Sequence, residues 1–396
     1  MIALINDKFN YVKDKIPDGM VFYKEDMSFD GDIIAVLSKE RHGNSIARKV
    51  VLDVFHLSTG KRIYHRFINV DRNIENYNLS VSPNGRYIAC IVDKHLIVFD
   101  CSVNKKVMEK LSGPYEDTTM FRVMDNGHLI MVINAMFVAL MDPFQQKEEM
   151  TLVHITRLSE VNVESNNNIR NINIIDLIYS LDGKTIAILC GYKGYDRGFE
   201  KSESEIFLYN TKIGRTGELT KENDIVKKQE KKENKVLNDI IDWSYEEGIP
   251  IRSLNDQFCK SFCFIPESNL GLAWYHGEYY SDLITYNLLD GSVVSGKSLP
   301  YINVGYGRVF KFVKMLTATE SSVFFRGYSK ASTYNPYNNI KDNEYQNHII
   351  EINLTSGKEI GRKDFDYSIY ANLAKNCKKI ISINNSLNEI SFKEFE

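Results

Sequence analysis

The sequence predicts an all-β fold made of one repeated unit, a four-stranded antiparallel sheet, set seven times around an axis. Three observations carry that expectation. An apolar residue closing an apolar-rich run is followed by a polar one, just before a turn, at Phe55-His56, Phe99-Asp100, Met141-Asp142, Tyr209-Asn210, Tyr286-Asn287, Ile352-Asn353 and, more loosely, Phe392-Lys393. These pairs recur every ~40–75 residues, the spacing of a blade repeat that carries insertions. Each unit breaks into short apolar runs of strand length separated by Gly, Pro and Asn. The 396 residues also include 23 Tyr and 21 Phe, residue types that suit half-buried strands. Together these features predict a single seven-bladed β-propeller over residues 1–396.

The second unit shows the grammar in full. Asn78-Leu-Ser-Val81 alternates, and Ser82-Pro-Asn-Gly85 is a turn in which Pro83 presets φ and Gly85 accepts φ > 0. Tyr87 to Val92 and Leu96 to Phe99 are apolar strands, with a weaker fourth near Lys106 to Lys110. The first unit repeats this with Ser28-Phe-Asp-Gly31, Ile33 to Leu37, Val51 to Phe55 and the turn Ser58-Thr-Gly60. The third has Asp125-Asn-Gly127, Leu129 to Ile133 and Phe137 to Met141. The fourth has Ser180-Leu-Asp-Gly183, Thr185 to Leu189, Ile206 to Tyr209 and Gly214. The fifth has Ser261 to Ile265, Leu270 to Tyr275, Leu283 to Tyr286 and Asp290-Gly291, and the sixth Val309 to Val313, Val323 to Phe325, Ile349 to Ile352 and Thr355-Ser-Gly357. The seventh shows three strands only, Ile369 to Leu373, Ile380 to Ile383 and Ile390 to Phe392. Met1 to Val12 is expected to supply its fourth, closing the ring and removing an open sheet edge.

Ser82-Pro-Asn-Gly-Arg-Tyr-Ile-Ala89, Ser180-Leu-Asp-Gly-Lys-Thr-Ile-Ala187 and Ser28-Phe-Asp-Gly-Asp-Ile-Ile-Ala35 resemble the Ser-Pro-Asp-Gly turn and following strand of the WD40 repeat family. Phe99-Asp100 and Tyr209-Asn210 stand where that family has Trp-Asp, although no repeat carries Trp-Asp itself. The resemblance spans nearly the whole chain and implies a WD40-like architecture. A propeller hosts many unrelated functions, so it implies no particular one.

Antiparallel alternation puts the first-to-second and third-to-fourth connections of every sheet on one face of the ring, and the remaining connections on the other. The former are tight turns ending in Gly31, Gly85, Gly127, Gly183, Gly60, Gly214, Gly291 and Gly357. The long connections, at 38–49, 156–173, 191–204, 221–257, 276–282, 300–307 and 327–347, are all expected on the opposite face, the last of the charged ones, 221–257, as an insertion between the fourth and fifth blades. Long loops in a compact domain tend to carry function. Three of them set Tyr among Gly, Asn and Ser, a mixture that protein-binding surfaces use because Tyr brings contact area at low entropic cost. The candidate partner-contacting residues are therefore Tyr192, Tyr195, Arg197, Tyr275, His276, Tyr279, Tyr280, Tyr328, Tyr334 and Tyr337, with Trp243 as an anchor in the charged segment.

Other classes leave little trace. The formal net charge is -3, which argues against a general nucleic-acid or membrane surface. Apolar Met1 to Ile5 is too short for a secretory core, and no run approaches the ~18 residues of a spanning helix. Six scattered Cys make no disulfide framework and suit a reducing cytoplasm. Cys259 and Cys263 are expected on one face of a strand, roughly 13 Å apart and too far to share a metal. No Gly-x-Ser-x-Gly elbow, His-Glu-x-x-His pair or sialidase-type Ser-x-Asp box is present. The resulting expectation is a cytoplasmic, non-catalytic platform without cofactor or metal, monomeric on its own, that binds a protein partner within a larger complex. Two alternatives stand beside it. Arg122, Asp176 and Lys311 on inner strands allow an enzyme or small-ligand pocket at the axis. Arg41, His42, Arg48, Lys49, Lys193 and Arg197, diluted by Glu40, Asp196 and Glu200, allow a nucleic-acid-binding subunit.

Overall fold

The computed structural model describes residues 9–40, 49–70, 77–93, 95–103, 105–111, 118–134, 137–144, 151–154, 171–180, 185–196, 199–210, 249–252, 258–276, 281–299, 309–330, 345–366 and 368–394. A two-residue strand, β1 (Asn10–Tyr11), opens the chain. The first sheet is β2 (Met20–Met27), β3 (Ile33–Glu40), β4 (Lys49–His56) and β5 (Lys61–Asn69), and the second β6 (Tyr77–Val81), β7 (Tyr87–Val92), β8 (His95–Asp100) and β9 (Lys105–Leu111). The third is β10 (Thr118–Val123), β11 (Leu129–Ile133), β12 (Phe137–Met141) and β13 (Thr151–His154). The fourth is β14 (Asn171–Tyr179), β15 (Thr185–Asp196), β16 (Phe199–Asn210) and β17 (Ile249–Arg252). The fifth is β18 (Phe258–Phe264), β19 (Leu270–His276), β20 (Ser281–Asn287) and β21 (Val293–Ser298). The sixth is β22 (Val309–Ala318), β23 (Ser322–Lys330), β24 (Tyr345–Asn353) and β25 (Glu359–Phe365). The last is β26 (Ile369–Leu373), β27 (Lys379–Asn384) and β28 (Glu389–Glu394), completed on its outer side by β1. All pairing is antiparallel, and each sheet is four strands wide. The first strands of successive sheets touch one another, β2 to β6, β6 to β10 and onward to β26, and so surround a common axis. The fold is a single all-β propeller.

Neighbouring sheets share their cores, which explains why the strands read as continuous apolar runs. In β3, Ala35 and Leu37 pack with Leu79, Ile88 and Cys90 of the second sheet, while Ile34 and Val36 pack with Ile381 and Ile383 of the last. Both faces are buried over Ile34–Leu37, and that stretch of the strand is wholly apolar. The recurring turn has an equally direct cause. The hydroxyls of Ser28, Ser82 and Ser180 accept the backbone N–H of Ile33, Tyr87 and Thr185 at 3.0, 2.9 and 2.9 Å. Gly85 takes φ 74° in that turn, and a Cβ there would lie 2.8 Å from Ile33 Cγ1 of the preceding sheet.

Ring closure follows the expected route. Asn10 and Tyr11 pair with Phe392 and Ser391, and the N–H groups of Val12 and Ile16 donate to the carbonyls of Ile390 and Asn388 at 3.0 Å each. Val12, Ile16, Met20 and Met27 then share one core with Ala374, Ile381, Ile390 and Phe392. Lys379 Nζ reaches Asp32 across the same seam at 3.0 Å.

Three expectations need correction. Residues 249–252 add a fourth strand to β16, with Phe207 opposite Pro250 and Leu208 opposite Ile249. The charged insertion expected at 221–257 between two blades therefore contains a strand of the fourth sheet, and 211–248 and 253–257 lie outside the described residues. A proline on an outer strand is the reason this element escaped notice, since an edge needs no donor on its outer side. The supposed loop at 191–204 is mostly hairpin: Tyr192 pairs with Glu203, Tyr195 with Glu200 and Asp196 with Phe199. Finally, a bulge at Lys260 breaks the alternation between Cys259 and Cys263. Cys259 joins the core shared by the fourth and fifth sheets, while Cys263 packs on the core between the fifth and sixth.

Two outcomes test this account. Gly85→Ala is expected to cost about 1–3 kcal/mol, seen as an earlier urea midpoint. Removing residues 1–12 strips the outer strand and the buried Val12 from the closing sheet, and burial of one valine side chain alone contributes about 1.5–3 kcal/mol. A clear fall in Tm is expected.

Candidate functional site

Five of the seven innermost strands carry a bulge. One residue is inserted at Tyr23 in β2, Thr119 in β10, Ile175 in β14 and Lys260 in β18, while β22 has two insertions, at Val313 and Leu316. A bulge re-aims the side chains that follow it. Asp26, Arg122, Asp176, Ser261 and Lys314 thereby line one cavity on the axis, of about 120 Å³, with Tyr179, Lys375 and Asn372 of the regular strand β26. The inner edges of these strands have no further strand to pair with, and side chains cover part of them. Asp26 Oδ2 accepts the N–H of Val81 at 2.8 Å, Ser80 Oγ that of Val123 at 3.1 Å, and Asp176 Oδ1 that of Leu177 at 2.8 Å.

Charge is dense here. Arg122 donates to Asp176 Oδ1 at 3.3 Å and to the carbonyl of Phe121 at 3.2 Å. Lys24 donates to Asn78 Oδ1 at 3.1 Å, and burial followed by Arg122 pulls its ammonium pKa down. Burial does the same to Lys375, with Arg122 and Lys314 adding to it while Asp26 and Asp176 oppose. Glu25 accepts from the Tyr370 hydroxyl and Asn372 Nδ2, both at 2.7 Å, tying β2 to β26. Burial raises its carboxyl pKa, against the pull of Lys314, the Tyr370 hydroxyl and Arg326.

Sequence reasoning missed two constellations. Ser329 Oγ lies 2.7 Å from His348 Nε2, and His348 Nδ1 lies 2.7 Å from Asp364 Oδ1, on adjacent strands β23, β24 and β25. The connectivity is that of a hydrolytic triad, but the exposure is inverted: Ser329 is fully buried and Asp364 is the exposed member. A nucleophile must meet its substrate, so these atoms form a polar relay across the sheet. In the first sheet, buried Asp53 bonds His65 at 2.6 Å and Arg62 at 3.2 Å in a comparable way. The second is Gly291-Ser-Val-Val-Ser-Gly-Lys-Ser298, which has phosphate-loop spacing. It begins in a turn, with Gly291 at φ 72°, and runs into the exposed outer strand β21. A phosphate loop needs a following helix whose N–H groups converge, and here a strand takes its place.

Of the residues expected to contact a partner, Tyr275 needs correction. It is 1% exposed, its hydroxyl bonds that of Tyr286 at 2.8 Å, and it belongs to the core between the fourth and fifth sheets. The alternation of β19 turns it inward. Tyr328 is half-buried in β23, opposite Asn347. Tyr192 and Tyr195 lie in β15, and His276 ends β19. Arg197, Trp243, Tyr279, Tyr280, Tyr334 and Tyr337 lie outside the described residues. Among the axial candidates, Arg122 and Asp176 meet as an ion pair, while Lys311 is exposed in β22. Among the described residues no group of three or more His, Cys, Asp or Glu could hold a metal ion, and no helix is long and apolar enough to cross a membrane. Burial pushes the Cys90, Cys259 and Cys377 thiols up to about 12, so each stays protonated in the core.

No protein-family model and no curated protein matches this chain. Solved structures do. Kuenenia stuttgartiensis hydrazine synthase aligns at 10% identity over 96% of both chains with a TM-score of 0.50. The Myceliophteria thermophila Cps50 (Swd1) β-propeller domain aligns at 12% identity over 97% of this chain and 99% of its own, also at 0.50. The WD40 domain of SCAP from fission yeast aligns at 10% identity over 98% and 87%, at 0.46. At such identities the first two likenesses speak to the propeller fold alone.

A titration tests the axial assignment. A carboxyl whose folded pKa is raised contributes stability below its unfolded pKa and loses it as pH rises through the folded value. Glu25→Gln keeps the acceptor and removes the titration. Relative to the parent, the variant is expected to gain Tm as pH rises from about 4 to 8.

Proposed function

We propose that the chain is one closed, seven-bladed, WD40-like propeller acting as a non-catalytic platform for a protein partner, in the cytoplasm and within a larger complex. The observation that carries this reading is the grouping of several long connections between strand ends on the face opposite the first-to-second turns, although the longest, 211–248, joins β16 to β17, whose ends lie on the other. The first-to-second turns are short throughout, as at 28–32, 82–86, 124–128 and 265–269. The opposite face receives the chain between the ends of β13 and β14 (155–170), β21 and β22 (299–308), and β23 and β24 (331–344). The β15–β16 hairpin, twelve residues on each strand, reaches toward that same face. A rigid ring with long segments on one side, two of them bearing Tyr301, Tyr306, Tyr334 and Tyr337, suits recognition of another protein, because a scaffold that is already ordered lowers the entropic cost of binding. The enclosure of Ser329 supports the non-catalytic half of the reading.

The test is capture of the tagged chain from its native cells, beside a variant carrying Tyr195→Ala, Tyr280→Ala and Tyr334→Ala. A stoichiometric protein that is retained by the parent and lost from the equally folded variant is the expected result. Recovery of the same protein with both, or of none with either, would overturn it.

A further inference from the structure

The axial cavity holds more positive charge than its own residues neutralise. Arg122, Lys375 and the exposed Lys314 line it against two carboxylates, Asp26 and Asp176, with one further charge of each sign, Lys24 and Glu25, beside it. Both carboxylates are already engaged: Asp26 holds the Val81 N–H, and Asp176 holds Arg122 and the Leu177 N–H. The ammonium groups of Lys314 and Lys375 make no hydrogen bond or ion pair with any described residue. The three cations come from three different elements, β10, β22 and the turn after β26, so no local sequence feature forces them together. Their repulsion is a cost the fold carries at its axis. A fourth group points the same way. Tyr179, 9% exposed, lines the cavity with a hydroxyl that has no partner among the described residues. A buried, unsatisfied donor costs stability unless something accepts from it.

Water alone would satisfy the hydroxyl but leave the charges unbalanced. An anion answers both. At about 120 Å³ the cavity is well below the roughly 300–1,000 Å³ of pockets for drug-sized ligands, which selects a small one. Several donors converging from different strands favour an ion with acceptor oxygens on every side over a planar carboxylate.

We propose that the axial cavity binds a small tetrahedral oxyanion of the phosphate class, held by Lys314, Lys375, Arg122 and the Tyr179 hydroxyl. The ion is either free or the terminal group of a small organic molecule. Its site is separate from the long-loop face, so this inference stands or falls independently of the platform reading.

The test is isothermal titration calorimetry on the full chain with sodium phosphate, against sodium chloride at matched ionic strength. Saturable one-to-one binding of phosphate is expected. Lys314→Gln and Lys375→Gln should each weaken it about tenfold or more, and Tyr179→Phe about two- to tenfold, the ranges for charged and neutral hydrogen bonds. Lys378→Gln, on an exposed neighbour of Lys375, should bind as the parent does. Tighter binding of a small phosphomonoester than of inorganic phosphate would assign the ion to an organic ligand, and equal binding to the free ion. The proposal is overturned if phosphate gives no saturable heat up to about 10 mM, far above an ordinary site's Kd. It is equally overturned if the folded Lys314 and Lys375 variants bind unchanged, or if acetate binds as tightly as phosphate.

Discussion

Antiparallel pairing of Asn10 and Tyr11 with Phe392 and Ser391 joins the two ends of the chain, and the remaining architecture depends on it. A row of packed sheets left open would expose an apolar face on its first and last members. Here those two faces meet: Met27, Ile34 and Val36 from one end pack with Ala374, Ile381 and Ile383 from the other. Polar contacts hold the same seam at both levels, Lys379 with Asp32 outside the core and Glu25 with Tyr370 and Asn372 toward the axis. Short backbone pairing would be weak alone. The shared core behind it supplies most of the stabilisation.

Closing a ring of sheets creates a second problem at its centre, where the innermost strands present unpaired backbone groups to one another. Unpaired polar groups are costly when buried. Two devices meet this cost. Side chains of Asp26, Ser80 and Asp176 accept some of the free N–H groups, and bulges at the same level of several strands turn polar side chains toward the axis. The outer strands carry bulges too, at Ile63, Val107, Val294 and Ile360, but their free edges face outward. One of them, β21, is exposed along its whole length, and water solvates it. The chemistry-bearing residues therefore gather at the axis for reasons that begin with backbone geometry.

Most of the fold was legible in the chain, for a physical reason. Every strand that lies between two cores must be apolar on both faces, so Ile33 to Leu37, Tyr87 to Val92 and Leu129 to Ile133 stand out as uninterrupted runs. The Ser and Gly of the turns at 28–31 and 82–85 recur because one caps a backbone amide and the other takes positive φ. Outer strands escape this rule. Ile249–Arg252 carries a proline and sits beside a polar segment, and nothing in its composition separated it from a loop. The contact surface was less legible than the strands. Tyr275 looks like any loop tyrosine until the register of β19 shows that it points into the core. The axial cluster was the least legible. Arg122 and Asp176 are 54 positions apart and meet only because bulges shift the alternation that sequence periodicity assumes.

The seam also bears on how the molecule assembles. Its contacts have very large sequence separations, 374 for Lys15 with Glu389 and 345 for Tyr370 with Glu25, and contacts of this kind slow folding because chain closure must precede their reward. On a ribosome the N-terminal sheet emerges long before its partner exists. It pairs internally, yet the side of β3 bearing Ile34 and Val36 stays uncovered until β27 and β28 have been made. Until β27 and β28 are made, the sheets form an incomplete arc with an adhesive face on the first of them, the state most open to misassembly or chaperone capture.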